Sequence, residues 1–177
     1  MSPEQHRAAL IAVLQNAYSG ELAASLAYGG HAASVSDAKE RDEILVILRQ
    51  ELEHRAEVGK MLASLGGAPS PAKERIFFLI GSTISLLCRV GGWFIPMYGA
   101  GKLEAGNIVE YEIAARHAVG AGRQDLVDCL LKMAEVEWDH ELYFRSKVEL
   151  SVLRHLFPRW PVPPPRASIR GGFAASS

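Results

Sequence analysis

The chain has 177 residues, of which 49% are hydrophobic and 22% are charged, and its formal net charge at pH 7 is -1. This balance is typical of one domain with a hydrophobic core, and it excludes an intrinsically disordered chain. Because the net charge gives no basic excess, we expect no nucleic-acid partner. The two cysteines, Cys88 and Cys129, lie in apolar surroundings and no secretory signal is visible, so we expect a reducing, cytoplasmic setting.

The first predicted helix begins at Pro3 and extends to about Ala33. Ser2 suits the N-cap position, and Gln5 can close a capping box with it. Glu21 lies in this helix among small residues, which suit a face packed against neighbouring helices. A buried carboxylate needs a partner, because burying a lone charge is costly. Glu21 is therefore either a functional carboxylate or an ordinary surface residue of an amphipathic helix.

The second predicted helix begins after Asp37, a suitable N-cap, and ends at Gly66-Gly67. It carries Glu51 and His54. Residues three apart on a helix project from one face, so this pair can direct a carboxylate and an imidazole at one point. If the first two helices form a hairpin, Glu21 lies at the same depth as this pair, because similar numbers of residues separate both from the turn.

A strongly apolar segment, residues 76–98, follows the second helix. Its uncharged part is shorter than the roughly 20 residues that a membrane-spanning helix needs. A longer span would carry Arg89 and a glycine pair, and insertion of the arginine alone costs roughly 2.5 to 3.5 kcal/mol. We therefore expect no membrane span. The segment is either a helix in the membrane interface or a buried crossover connection in a soluble bundle.

The third predicted helix extends from about Gly101 to Val119. Glu110 and Glu112 both lie on it and point about 200° apart, so only one of them can face a bundle interior. Glu110 shares its face with mostly apolar or small residues and is the preferred candidate, with Glu112 as the alternative. The preferred residue is less well matched in depth to the fourth helix, by roughly one helical turn.

The fourth predicted helix extends from about Asp125 to His155 and carries a second Glu-x-x-His motif, formed by Glu137 and His140. We expect residues 1–157 to form one domain. Residues 158–177 are rich in proline and then in glycine, alanine and serine, so they are expected to be an extended or disordered tail.

Two Glu-x-x-His motifs, each preceded by a carboxylate on the previous helix, form a degenerate repeat. One such motif is weak evidence, but the pair matches the ligand pattern of ferritin-like dimetal bundles, which take a Glu from each of two helices and Glu-x-x-His from each of the other two. The predicted fold is an all-α, ferritin-like four-helix bundle with residues 76–98 as a long hydrophobic crossover between bundle helices 2 and 3. No catalytic or cofactor-binding residue is predicted beyond the metal ligands, which are Glu21, Glu51, His54, Glu110, Glu137 and His140.

The chain resembles the di-iron hydroxylases of ubiquinone biosynthesis, the demethoxyubiquinone hydroxylase family of the ferritin-like superfamily. The resemblance covers roughly Ala17 to Lys147 and implies that the six predicted ligands bind two iron ions, as Fe2+ and Fe3+. It also implies that residues 76–98 contact the membrane and the quinone tail. The motifs that carry it are Gly20-Glu21 with Tyr28-x-Gly30, Gln50-Glu51-x-x-His54, Arg89-Val90-Gly91-Gly92 leading into Gly99 to Lys102, Val109-Glu110, and Glu137-x-x-His140.

The resemblance implies a di-iron monooxygenase that hydroxylates the ring of a polyprenylated, demethoxyubiquinone-like quinone. Its partners would be the quinone, dioxygen, an external electron donor, and a second copy of the chain or a lipid-binding protein. Its location would be peripheral, on the cytoplasmic side of the inner membrane. Other quinones or phenols remain possible substrates, because Arg116-His117 stands where the family commonly has His-Tyr. The alternatives are a ferritin-like protein for iron oxidation, iron storage or peroxide reduction, and a non-catalytic lipid-binding bundle.

Overall fold

The computed structural model describes residues 1–174 and shows, within them, six α-helices, one short 3-10 helix and no β-strand. The all-α prediction is confirmed, and the structure is consistent with a helical bundle. The finer, ferritin-like arrangement stays a prediction. The bounds are Pro3–Ser34 (α1), Ala38–Ser64 (α2), Pro71–Val90 (α3), Phe94–Gly120 (α4), Gln124–Leu150 (α5), Val152–Leu156 (the 3-10 helix) and Ala167–Ala174 (α6).

Local hydrogen bonds set the ends of the first two helices. The Ser2 amide donates to Gln5 Oε1 at 2.7 Å, and the Gln5 amide donates to Ser2 Oγ at 3.3 Å, which completes the predicted capping box. Asp37 caps α2, because its side chain accepts a 2.8 Å hydrogen bond from the Glu40 amide. Beyond the other end of α2, Gly66 has a φ of 68°, the left-handed conformation in which glycine commonly ends a helix.

The described residues fall into two compact units. The central unit is Leu14–Pro96 and contains most of α1 together with α2 and α3. The terminal unit is Met1–Val13 with the chain from Met97 onward, and it contains most of α4 together with α5 and α6. Each unit buries large apolar side chains, such as Leu62 of α2 in the central unit and Phe144 of α5 in the terminal unit.

Two glycines allow α1 and α3 to approach closely in the central unit. A Cβ at Gly30 would lie 2.3 Å from the backbone oxygen of Ser85, and a Cβ at Gly81 would lie 2.6 Å from the Cα of Ala23. A side chain at either position would therefore collide with the backbone of the opposite helix, which cannot move aside as a side chain can. The glycines in each helix thus permit a contact that any larger residue would push apart.

The apolar segment 76–98 is not one continuous helix. It is broken between α3 and α4, where Gly92 turns the chain with a φ of 69°. The structure does not support the buried-crossover alternative for α3, because most of its large apolar residues are exposed. In residues 1–174, no helix has both the length and the apolar character that a membrane crossing requires. The large apolar residues of α3 that are exposed are Ile76, Phe78, Leu79, Ile80, Leu86, Leu87 and Val90.

The described part of the predicted tail, residues 158–174, packs onto other segments of the terminal unit. Trp160 is buried, with its ring centroid 5.3 Å from that of Tyr98. Tyr98 donates its hydroxyl hydrogen bond to the carbonyl of Pro158 at 2.7 Å. Residues 158–165 contain no helix or strand, and these contacts hold them against α4.

The end of the tail differs from the prediction of an extended or disordered segment, because Ala167–Ala174 is helical. Arg170 pairs with Asp128 at 2.7 Å and with Glu135 at 2.9 Å, both on α5. These tertiary contacts offset the low helix propensity of the glycine-rich sequence, which local reasoning alone could not show. Residues 175–177 of the predicted tail lie outside the described part of the chain.

His31 of α1 is buried. Burial lowers its pKa from 6.5 to about 4, and the charge of Glu40 opposes that shift only in part. The imidazole is therefore neutral at physiological pH. His31 follows the buried Tyr28 by three residues, so both side chains lie on the same buried face of α1.

Gly30→Ala is expected to destabilise the protein by about 2 to 3 kcal/mol, because the added methyl group overlaps the backbone of Ser85 and forces α3 away from α1. Gly29→Ala is the matched control, since a Cβ there meets only Leu48 Cδ1 at 3.8 Å. It should be neutral or stabilise by up to about 1 kcal/mol. Denaturant unfolding measures both, and equal stability of the two variants would contradict the close helix contact.

Candidate metal centre

Three buried side chains with ligand atoms come together in the central unit. They are Glu21 from α1 and the pair Glu51 and His54 from α2, and each is more than nine-tenths buried. One ligand atom of each lies within 4.8 Å of the others. His54 Nδ1 is 3.9 Å from Glu21 Oε1. The structure thus brings together the three residues predicted from the first half of the repeat, which we call the central trio.

A second trio of the same composition lies in the terminal unit. It consists of Glu104 from α4 and the pair Glu137 and His140 from α5, all more than nine-tenths buried. One ligand atom of each lies within 4.8 Å of the others, and His140 Nδ1 is 3.8 Å from Glu137 Oε2. Asn107 donates hydrogen bonds to Glu104 at 3.1 Å and to Glu137 at 3.3 Å. We call these three residues the terminal trio.

The carboxylate that α4 contributes to the terminal trio is Glu104 and not the predicted Glu110. Both Glu110 and its alternative, Glu112, are only half-buried. Neither belongs to a group of metal-ligating side chains among residues 1–174. The ligand prediction for this helix is therefore corrected to Glu104, while the other five predicted residues all lie in one of the two trios.

A heptad pattern in the sequence of α4 could have identified Glu104. Met97, Glu104, Tyr111 and Ala118 lie seven residues apart, and all four are buried. This spacing keeps residues on one helix face, and it marks that face as the one directed inward. The mismatch in depth of roughly one helical turn that accompanied Glu110 was a second signal against that residue.

The donor set of each trio fits a divalent metal ion. Two carboxylates and one imidazole offer hard and borderline donors, which suit iron, manganese or zinc. Carboxylates that lie close together in a buried place disfavour joint ionisation, and a divalent cation would remove that repulsion. These buried glutamate and histidine groups could therefore hold a metal ion.

A search against models of known protein families, against characterised proteins and against solved structures finds no match to this chain. The case for a metal centre therefore rests on the composition, burial and spacing of the two trios.

Glu104→Gln is expected to lower the affinity for Fe2+ by tenfold or more, because it removes a buried anionic ligand and preserves side-chain volume. Glu110→Gln is the matched control on the same helix and should retain the affinity of the unaltered protein. Metal content after anaerobic loading and dialysis, measured by mass spectrometry, distinguishes the two. A loss in the Glu110 variant without a loss in the Glu104 variant would restore the original ligand prediction.

Proposed function

We propose that the two trios together form one dinuclear iron centre and that the protein is an oxygen-dependent hydroxylase acting on the ring of a polyprenylated quinone. The observation that carries this proposal is the duplication of a buried Glu with a buried Glu-x-x-His. It is present once in the central unit and once in the terminal unit. In ferritin-like bundles this doubled ligand pattern holds two metal ions, which supports combining the trios.

The ligands support iron as the metal. Four carboxylates and two imidazoles are hard and borderline donors, and no cysteine belongs to either trio. When bound, a pair of iron ions would supply the redox chemistry that activates dioxygen. Glu21, Glu51 and His54 would hold one ion, and the terminal trio would hold the other. Because the trios contain no redox-active cysteine, the electrons would come from an external donor.

The chain's own residues would keep this centre dry and ordered. All six ligand side chains are more than nine-tenths buried, which limits the access of water to reactive species. Asn107 contacts the carboxylates of both Glu104 and Glu137, so it can hold them in a fixed orientation relative to each other. Such supporting hydrogen bonds commonly tune metal affinity.

The exposed apolar face of α3 supports a hydrophobic substrate and a membrane surface. Leu79 and Leu86, one heptad apart, are each 64% exposed. Lys73, Arg75 and Arg89 lie near the two ends of the helix. An apolar face flanked by cationic residues suits a helix that lies in a membrane interface. A prenyl tail could be extracted there, since each buried methylene contributes about 0.8 kcal/mol.

The double variant Leu79→Asp, Leu86→Asp is expected to reduce binding to vesicles by at least tenfold, because it places two charges on the apolar face of α3. Leu103→Asp is the control, since this α4 residue is 60% exposed and lies outside that face. Co-sedimentation with anionic phospholipid vesicles measures binding. If the unaltered protein ignores the vesicles, the membrane proposal fails.

The hydroxylase proposal predicts that the reduced, iron-loaded protein inserts one labelled oxygen atom into a demethoxyubiquinone analogue under isotopic dioxygen. Activity should rise with the length of the prenyl tail, because the tail supplies binding energy remote from the ring. Glu137→Ala should abolish incorporation. Mass spectrometry of the product measures the label.

Other outcomes would contradict this proposal or favour a different function. A hydroxylated product that lacks the isotopic label would count against a quinone hydroxylase. Equal activity on phenols without a prenyl tail would do the same. Iron that accumulates beyond two ions per chain would favour iron storage. Absence of metal binding after anaerobic loading would favour a non-catalytic lipid-binding protein.

A further inference from the structure

A charged side chain directly follows each of the two histidines in the trios. Arg55 follows His54 on α2, and Glu141 follows His140 on α5. The two residues have opposite charges, yet each is the centre of a network that joins its helix to another segment of the same unit. Neither residue was assigned a role from the sequence.

Arg55 connects α2 to both α1 and α3 in the central unit. Its guanidinium donates to both carboxylate oxygens of Glu74 on α3, at 2.5 Å and 3.2 Å. It also donates to the Tyr18 carbonyl of α1 and lies 3.8 Å from the centroid of the Tyr18 ring. Ser19 donates a further hydrogen bond to Glu74 at 2.6 Å. Burial raises the pKa of Glu74, but the hydrogen bonds from Arg55 and Ser19 outweigh this and lower it overall.

Glu141 connects α5 to the docked tail in the terminal unit. Its carboxylate is almost completely buried and accepts hydrogen bonds from Trp160 Nε1 and Arg145 Nε, both at 2.7 Å. The Arg145 guanidinium also lies 4.7 Å from the centroid of the Trp160 ring and donates to the Pro161 carbonyl at 2.9 Å. Charge-assisted hydrogen bonds of this kind are strong and directional.

An anchor next to a ligand controls the rotation of the helix about its axis. Consecutive residues project about 100° apart, so a side chain held beside a histidine also fixes the direction in which the histidine points. A rotation of about 10° would move a ligand atom roughly 6 Å from the axis by about 1 Å, given the geometry of the α-helix. Metal sites tolerate deviations of only about 0.2 Å in ligand distance.

We propose that Arg55 and Glu141 are positioning residues, each of which sets the orientation of the histidine that precedes it; their effect on metal affinity rests on the proposed dinuclear centre. The central network acts on His54, and the terminal network acts on His140. The docked tail is then part of the metal-site architecture, because Trp160 supplies the donor that holds Glu141.

The test compares four variants. Arg55→Ala breaks the central network, and Lys60→Ala is its control, since Lys60 forms an exposed ion pair with Glu57 on the same helix. Trp160→Phe removes the indole donor to Glu141 and keeps an aromatic ring. Asp128→Asn is its control, because Asp128 also ties α5 to the tail, through an ion pair with Arg170 at 2.7 Å, and does not lie next to a residue of the terminal trio.

The first measurement uses nuclear magnetic resonance of the metal-free protein with isotope-labelled histidine. Arg55→Ala should broaden or split the imidazole signals of His54 and leave those of His140 unchanged. Trp160→Phe should do the reverse, and both control variants should match the unaltered protein. A change of both histidines in every variant would show general loosening of the fold and would overturn the proposal.

The second measurement is titration with Co2+ as the probe metal. Arg55→Ala and Trp160→Phe should each weaken binding about tenfold, as is usual for residues that orient a ligand. Glu141→Gln keeps an acceptor for Trp160, so it should retain most of the Co2+ affinity of the unaltered protein. Affinities equal to those of the controls would overturn the proposed effect on metal binding. If the unaltered protein binds no Co2+, the metal centre fails, whereas the imidazole signals still decide the positioning role.

If Arg55→Ala does not fold, Glu74→Gln replaces it. This variant removes the negative charge that faces the Arg55 guanidinium. It keeps a side chain of the same shape, with one oxygen that can still accept a hydrogen bond from Arg55. It should perturb the His54 signals to a smaller degree and again leave His140 unchanged. Unchanged His54 signals would contradict the central half of the proposal.

Discussion

Each unit buries two carboxylates close together, and the helices around them must support this costly arrangement. Glu51 and Glu137 are completely inaccessible to solvent, and each lies close to a second buried carboxylate and an imidazole in its own unit. Isolated buried charges cost several kcal/mol, and like charges near each other add repulsion. A chain selected for stability alone would place apolar residues at these positions. The repeated exception therefore indicates a function that needs acidic and imidazole ligands together.

The surroundings of each trio show how a helical chain supports such a cluster. Long helices with well-formed caps hold ligand residues at fixed heights, and close helix contacts restrict sliding. In the central unit, Gly30 and Gly81 allow α1 and α3 to touch through their backbones. In the terminal unit, Gly101 leaves space for Trp160, whose ring would be only 2.7 Å from a Cβ at that glycine. Both devices use the absence of a side chain to bring a supporting segment close.

The sequence predicts the local features of this chain well, and the sites that depend on tertiary packing less well. Capping residues and Glu-x-x-His spacing act within one or two helical turns, so they can be recognised from the sequence alone. Glu104 takes the place predicted for Glu110 because of which face of α4 is buried, and local sequence did not reveal that face. Leu103 and Ile113 suggested the wrong face, because both are apolar yet exposed. The helical end of the tail likewise depended on ion pairs with α5, which are distant in sequence.

The helix α3 carries both a contact to Arg55, next to the central trio, and an exposed apolar face. Near its beginning, Glu74 binds Arg55, which lies beside His54 of the central trio. Farther along, the same helix packs on α1 through Gly81 and leaves most of its large apolar residues exposed. Soluble monomers rarely leave a contiguous apolar face of this kind uncovered. A surface that covers this face would therefore act on a helix already tied to Arg55, so docking of that surface and the geometry of the central trio would depend on the same helix.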